Sequence, residues 1–124
     1  MFQEINIPAM NNRPAIIKKS FKEISDKIDK QYDNFILETV NNHCLRMAVM
    51  EGEYKWHYHN NTDELFIVLE GELKIEIKEQ ETVFLKPGEY INIPAQTVHK
   101  TSATGRTVNV TFELNADDTV FVES

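Results

Sequence analysis

The sequence predicts an all-β fold, either a sandwich or a closed barrel, with one short helix near its start. From residue 34 onward, apolar residues alternate with polar ones at period two, as in strands that bury one face. Short turn signals separate these segments, for example EGE at 51–53 and PGE at 87–89. Many short strands joined by tight turns favour an all-β architecture over an α/β fold.

Length and composition limit the class of protein. The 124 residues fit one domain, and an apolar content of 41% is enough for a core. The longest strongly apolar run, LFIVL at 65–69, is too short to span a bilayer. Because Cys44 is the only cysteine and no secretory leader is recognisable, we expect a cytoplasmic protein. A net charge of −7 without a Lys/Arg cluster predicts neither a nucleic-acid nor a membrane partner.

The first third of the chain differs from the rest. Two prolines and adjacent asparagines in residues 7–14 predict an irregular arm. Ser20 and Glu23 have the spacing of a capping box, and three apolar residues then recur at helical intervals, which predicts a helix at about 20–31. These apolar residues are Phe21, Ile24 and Ile28. We therefore divide the chain into residues 1–33, an arm and helix that pack on the barrel, and residues 34–124, the barrel itself.

Ten segments are predicted as strands because they alternate between apolar and polar residues and are bounded by turn signals. They are residues 35–40, 44–50, 54–59, 64–70, 72–79, 82–86, 89–94, 98–103, 107–114 and 119–123. The dipeptide TG at 104–105 is interpreted as the turn between the eighth and ninth strands.

The strand YKWHYH at 54–59 contains the most specific chemical signal. Alternation places His57 and His59 on the same face, with Cα atoms roughly 6.6 Å apart, so that both imidazoles can converge on one ion. A polar turn then reverses the chain, and Glu64 begins the next strand beside this pair. If the barrel closes so that His99 lies alongside, the set becomes three imidazoles and one carboxylate.

Two stretches resemble the two sequence motifs of the cupin superfamily. Residues 52–71, GEYKWHYHNNTDELFIVLEG, are similar to G-x5-H-x-H-x3–4-E-x6-G, and residues 88–103 are similar to G-x5-P-x-G-x2-H-x3-N. The resemblance covers about residues 40–105 and implies a double-stranded β-helix, a small jelly-roll barrel with a metal ion inside. By this similarity the metal ligands would be His57, His59, Glu64 and His99.

Three departures from the motifs involve no ligand. Four residues instead of five separate Gly52 from His57, Gln96 replaces a glycine, and Ala103 replaces an asparagine. Glycine adopts a positive φ at little cost, whereas glutamine does not. We therefore expect the turn before His99 to differ in shape from that of the family.

The implied ligand set restricts the metal. Three imidazoles and one carboxylate suit Fe, Mn, Co, Ni, Cu or Zn, whereas Ca²⁺ and Mg²⁺ prefer shells of oxygen atoms. Four protein ligands on a six-coordinate ion leave two positions for water, O₂ or a substrate oxygen. Glu64 would either remain a ligand or dissociate and act as a base.

Two functions are compatible with such a site. The first is a metal-dependent enzyme, with dioxygenase- or isomerase-type chemistry on a small oxygenated or carboxylated organic molecule. The alternative is a non-catalytic module that binds or senses a small molecule in the same pocket. A basic or nucleophilic group near the ion would distinguish them, and the sequence offers four candidates: Cys44, Arg46, Lys55 and Tyr90.

The remaining candidates have simpler interpretations. Arg46 would clamp an anionic substrate if its strand face points inward. Cys44 is best interpreted as a small buried apolar residue, and Lys55 is expected at the barrel rim. Trp56 and Tyr58 face away from the histidines and are expected to pack under the helix or against a second subunit. We therefore expect a homodimer, with the arm leaning across the partner.

Overall fold

One helix and nine strands follow one another in the computed structural model, which describes residues 15–123. The arm predicted at 7–14 lies outside the described residues, so the division of the chain at residue 33 stays a prediction. The helix α1 spans Phe21–Asp26. The strands are β1 Tyr32–Val40, β2 His43–Glu53, β3 His57–His59, β4 Glu64–Glu70, β5 Leu73–Ile77, β6 Val83–Leu85, β7 Tyr90–Ile93, β8 His99–Leu114 and β9 Thr119–Phe121.

The strands form a curled antiparallel sheet, which confirms the all-β class. One path of neighbours runs β1-β2-β8-β3-β9, and β4 and β5 also pair with the long strand β8. The second half of β8 has β2 on one side and β4 on the other, while its first residues pair with β5. Strand β8 therefore joins most of the barrel and fixes how the ends of the other strands meet.

The central part of β2, residues 47–50, and the facing part of β8, residues 107–110, are buried on both faces. Inside the barrel, apolar side chains from six strands form one cluster: Met50, Phe66, Val68, Leu73, Ile75, Ile77, Leu85, Ile93 and Ala103. On the outer face of the sheet, a second cluster consists of Met47, Val49, Val108 and Val110. Because side chains alternate along a strand, the neighbours Val49 and Met50 belong to different clusters.

Helix α1 covers the outer cluster but is shorter than predicted. Its N-terminus is capped as expected, since Ser20 Oγ accepts a hydrogen bond from the Glu23 amide at 3.2 Å, and Ile24 and Ile28 pack on the cluster. The helix ends at Asp26, whereas the sequence pattern predicted about residue 31. The guanidinium of Arg106, distant in sequence, donates to the carbonyls of Ser25 and Ile28 at 2.7 Å each and so satisfies acceptors at the end of this short helix.

Two predicted strand boundaries are wrong. The segments predicted at 98–103 and 107–114 are one continuous strand, because residues on both sides of Gly105 stay paired with β2. The turn predicted at 51–53 is instead a bulge within β2, where the register shifts between Met50 and Gly52 and Gly52 adopts a φ of +98°. Residues 54–56 then leave the ladder, and β3 begins only at His57.

Gly71 occupies a position that accepts only glycine. Its φ is +81°, and a Cβ atom there would lie 2.5 Å from both the Arg106 carbonyl oxygen and the Thr107 hydroxyl. This close approach positions the end of β4 against β8. The single helix of the described residues is neither long nor apolar enough to cross a membrane.

Candidate metal centre

Four buried side chains from three strands meet inside one end of the barrel. Ligand atoms of His57, His59, Glu64 and His99 all lie within 4.8 Å of one another. Strand β3 supplies His57 and His59, and Glu64 begins β4. His99 begins β8, directly opposite His57 in the antiparallel register. The structure therefore brings together all four residues that the sequence motifs singled out.

The turn between β3 and β4 is held by side-chain hydrogen bonds, which fixes the position of Glu64. Thr62 is 1% exposed, donates through its hydroxyl to the Asp63 carbonyl at 2.7 Å and accepts from the Leu114 amide at 2.9 Å. Asp63 accepts from the Ala95 amide at 2.9 Å and so joins this turn to the one before His99.

The turn before His99 holds Gln96 in a backbone conformation that favours glycine, and a difference in shape from the family's turn stays a prediction. Gln96 adopts a φ of +65°, the left-handed conformation that a glycine there would favour. The backbone N–H of Gln96 donates to the His59 carbonyl at 2.7 Å, and this hydrogen bond holds the strained residue in place. His99 is consequently fully buried and belongs to the cluster.

Hydrogen bonds at Nδ1 orient all three imidazoles. His57 Nδ1 lies 2.8 Å from the Lys55 carbonyl oxygen, and His99 Nδ1 lies 2.8 Å from that of Thr97. Since a carbonyl oxygen only accepts, both Nδ1 atoms must carry the proton, which leaves each Nε2 lone pair for an ion. His59 Nδ1 faces the Asp118 Oδ1 atom at 3.2 Å, which imposes the same orientation.

Asp118 is a functional candidate that sequence reasoning missed. It is 9% exposed, and its Oδ2 accepts from the amides of Asn61 and Thr62 at 2.8 and 3.0 Å, so the carboxylate is fixed behind His59. Burial acts to raise the pKa of Asp118, but the amide of Asn61 and the His59 ring together hold it below its usual range. Nothing in the local pattern distinguished it from the neighbouring Asp117.

The carboxylate of Glu64 contacts two of the imidazoles, so the protonation of these groups is interdependent. Glu64 Oε1 lies 3.1 Å from His59 Nε2 and 3.3 Å from His99 Nε2. Burial acts to raise the pKa of Glu64, but the two imidazoles outweigh it, and the pKa is lowered. Burial acts to lower the pKa of His59, but Glu64 and Asp118 outweigh it, and the pKa is raised. Within residues 15–123, His57 has no carboxylate contact of this kind, and burial lowers its pKa. A nitrogen-rich donor set around one carboxylate fits a single transition-metal ion.

The cluster lies in the wall of a cavity of about 400 Å³. His57, His59 and Glu64 line the cavity, together with Phe66 from β4, whose ring centroid is 6.0 Å from that of His99. This volume suits a small organic molecule. Arg46 also lines the cavity, so its strand face points inward, a point that the sequence left open.

Glu113 is a second residue that sequence reasoning missed. It lines the cavity although it is only 7% exposed, and it is the cross-strand partner of Glu64. Burial, with a further contribution from the charge of Glu64, raises the pKa of Glu113 to about 7. A signal was present in the alternation of the second half of β8, where the buried polar residues are Thr107, Asn109, Thr111 and Glu113. The pattern alone does not say which face points inward.

The other candidates lie outside the cavity. Lys55 is exposed, its Nζ lies 5.4 Å from the Phe121 ring centroid, and it does not line the cavity. Its place at the barrel rim stays a prediction. Tyr90 is 70% exposed. Cys44 is buried as expected, and burial raises the pKa of its thiol, which disfavours a thiolate nucleophile.

Trp56 and Tyr58 are half-buried, and neither belongs to the cluster beneath α1. The expectation that they pack under the helix is therefore wrong, because α1 lies over the outer face of β2 and β8. Packing of these two residues against a second subunit stays a prediction.

Comparisons with known proteins agree with this architecture. Residues 45–113 match the family model described as a cupin domain. The chain is 47% identical over 100 residues to the uncharacterized protein YdbB of Bacillus subtilis (strain 168). This alignment covers 81% of this chain and 88% of that protein.

Solved structures show the same fold. A cupin-2 domain protein from Shewanella frigidimarina aligns with a TM-score of 0.73 and 29% identity, over 78% of this chain and 94% of that one. A cupin-like protein from Thermotoga maritima aligns with a TM-score of 0.66 and 22% identity, over 73% and 75% of the two chains. The fold is thus the jelly-roll barrel that the motifs implied, and this chain belongs to the cupin family.

Proposed function

We propose that this protein binds one divalent transition-metal ion through His57, His59, Glu64 and His99 and acts as a metal-dependent enzyme. One observation supports this above all: four buried ligand atoms lie within 4.8 Å of one another, and three of the four residues line a cavity of small-molecule size. Hydrogen bonds at Nδ1 orient the three imidazoles so that each presents its Nε2 atom to an ion.

The substrate we propose is a small oxygenated or carboxylated organic molecule, and the reaction is of dioxygenase or isomerase type. The bound ion would supply Lewis-acid or redox chemistry at a substrate oxygen. Phe66 and Met50 form an apolar wall that limits the access of water. Glu64 remains a ligand or dissociates to act as a base, and Glu113 offers a second carboxyl group on the same wall.

Metal content tests this proposal directly. Protein purified without a nickel column is analysed for Fe, Mn, Co, Ni, Cu and Zn, and we expect about one ion per chain. The substitution His57→Ala should remove the ion. His43→Ala is the matched control, because His43 stacks on Phe112 outside the cluster and its loss should leave the metal content unchanged. A wild-type protein that binds none of these ions at micromolar concentrations would contradict the proposal.

A turnover screen then separates the enzyme from the alternative, a non-catalytic module that binds or senses a small molecule. Protein loaded with Fe(II) is incubated with small oxygenated acids and sugars, with and without O₂, and products are followed by mass spectrometry. Product formation that is lost in His57→Ala supports the enzyme. Ligands that bind to the metal-loaded protein but return unchanged support the binding module.

We also propose that the protein forms a homodimer through a second copy seated along β1. This strand is an edge of the sheet, and Tyr32, Ile36 and Val40 on it are 45%, 42% and 47% exposed. A long edge strand with exposed apolar residues readily pairs with another copy. Light scattering after size-exclusion chromatography should give the dimer mass, and a monomer mass would contradict this. The cytoplasmic location and the absence of nucleic-acid and membrane partners stay predictions.

A further inference from the structure

Among the described residues, Arg46 is the one lysine or arginine that lines the metal-centre cavity. It extends from the inner face of β2, and its side chain is 36% exposed, so the guanidinium lies at the boundary between cavity and solvent. The nearby lysines Lys55 and Lys100 instead lie outside the cavity, over aromatic rings. A positive charge at this place is therefore specific to Arg46.

The guanidinium retains most of its hydrogen-bonding capacity. Its Nη1 donates to Asn34 Oδ1 at 2.9 Å, which is its one hydrogen bond within the described residues. Its Nε lies 3.9 Å from Glu113 Oε1, too far for a hydrogen bond although close enough for electrostatic attraction. Since a guanidinium has five N–H donors in a planar fork, Asn34 and Glu113 orient the group while leaving donors for a ligand.

The sheet register relates Arg46 to the metal centre along one wall of the cavity. Arg46 is opposite Thr111 on β8, and Thr111 is in turn opposite Phe66 on β4. Strands β2 and β4 are thus two strand spacings apart, about 10 Å, and Glu64 lies two residues before Phe66. A molecule with a few carbon atoms can therefore contact Arg46 at one end and the metal centre at the other.

The lining also indicates the chemistry of the ligand. A guanidinium fork matches the two oxygens of a carboxylate, while the apolar side chains of Ala48, Met50 and Phe66 in the same lining suit a carbon skeleton. Two further acids line the cavity, Glu113 and Asp117. Their presence disfavours a multiply charged phosphate group, for which the described lining offers a single guanidinium.

We propose that Arg46 binds the carboxylate of a small organic acid whose other end presents an oxygen atom to the metal centre. The second half of this statement rests on the proposed metal binding, while the role of Arg46 does not. Arg46 is thus the residue that selects acids over neutral molecules in this cavity.

Calorimetry with matched pairs of acids tests the proposal on protein loaded with Co(II) and on metal-free protein. The probes are malonate, succinate and glutarate, each compared with the monocarboxylate of equal carbon number, together with inorganic phosphate. On the Co(II) protein, we expect at least one dicarboxylate to bind about tenfold more tightly than its monocarboxylate, a ratio that corresponds to about 1.4 kcal/mol. Arg46→Gln should abolish this preference, and Arg46→Lys should retain part of it.

Controls separate a local effect from misfolding. Lys55→Gln removes a positive charge outside the cavity and should leave every affinity unchanged. Asn34→Ala removes the group that orients Arg46 but leaves the charge of Arg46 in place, and it should weaken dicarboxylate binding. Thermal melting and Co(II) titration confirm that each variant folds and keeps its metal centre.

Two results would overturn the proposal: no dicarboxylate preferred over its monocarboxylate, or a preference that survives in Arg46→Gln. Tighter binding of phosphate than of every acid would also contradict it. Failure of Co(II) to bind would contradict the proposed function instead. In that case the Arg46 proposal is decided on the metal-free protein, where Arg46→Gln must still weaken the binding of glutarate.

Discussion

The inner wall of the barrel has two halves of opposite character, although the same strands form both. Along β4, Glu64 belongs to the metal cluster while Val68, four residues later, is fully buried in the apolar cluster. Along β2, Arg46 lines the cavity while Met50 is 4% exposed in that cluster. The closed half is apolar, and the open half contains buried histidines, carboxylates and amides.

This difference shows how one barrel combines stability with chemistry. Burial of Leu73, Ile75 and Val68, each fully buried, stabilises the closed half through the hydrophobic effect. Burial of His59, Glu64 and Glu113 opposes folding unless each group is paired, and all buried polar side-chain atoms of the described residues do have hydrogen-bond partners. The apolar half therefore offsets the cost of the polar half.

The largest expected effect comes from the closed half. Leu73→Ala should lower the free energy of unfolding by about 2–5 kcal/mol, because it leaves a cavity in the apolar cluster. Urea denaturation measures this change, and Ile17→Ala, at a position that is 67% exposed, is the control with little effect. The affinity of the folded Leu73→Ala protein for Co(II) should not change, and a large loss of affinity would show that the two halves are coupled.

The next largest effect, on metal affinity, is expected from Asp118, which lies behind His59 in the candidate metal centre. Asp118→Asn keeps the shape of the side chain but removes the charge that orients His59, so metal affinity should fall about 10- to 100-fold. Competition with a coloured chelator measures the affinity. Asp117→Asn, at the exposed neighbouring position, is the control and should bind metal like the wild type. Equal affinities in all three proteins would remove Asp118 from the site.

A smaller, graded effect is expected with pH. Because Glu64 and Asp118 raise the pKa of His59 although burial opposes them, the metal-free site holds a proton on His59 at neutral pH. The metal must displace this proton, so affinity should fall as pH decreases, by about tenfold per pH unit for each proton released, and level off above the raised pKa. Co(II) titrations at a series of pH values measure the slope. A flat profile near neutrality would contradict a raised His59 pKa.

The smallest effect concerns the turn before His99. Gln96→Gly should stabilise the protein by up to about 1 kcal/mol, because glycine adopts a φ of +65° without steric strain. Gln96→Ala is the control: it removes the weak 3.4 Å side-chain bond to the Asn60 carbonyl but keeps the strain. If thermal melting shows Gln96→Gly to be less stable than Gln96→Ala, the strain argument fails.

The sequence predicted the all-β class and the four side chains that meet in the candidate metal centre. Strand alternation of period two puts His57 and His59 on one face whatever the rest of the fold does, and the motif spacing added Glu64 and His99. Local signals were less reliable at boundaries: Gly105 looked like a turn and lies within β8, and Ile28 looked helical but follows the end of α1.

By itself, the sequence determined the strand periodicity and the capped start of the helix, because each depends on neighbours a few positions apart. It also gave the four clustered residues, through their resemblance to the cupin motifs. Only the tertiary structure decided that Glu113 and Asp118 are buried beside that cluster and that Arg46 lines the cavity while Lys55 does not. The physical reason is that alternation gives two faces to every strand, and only the closure of the barrel chooses which of them is inside.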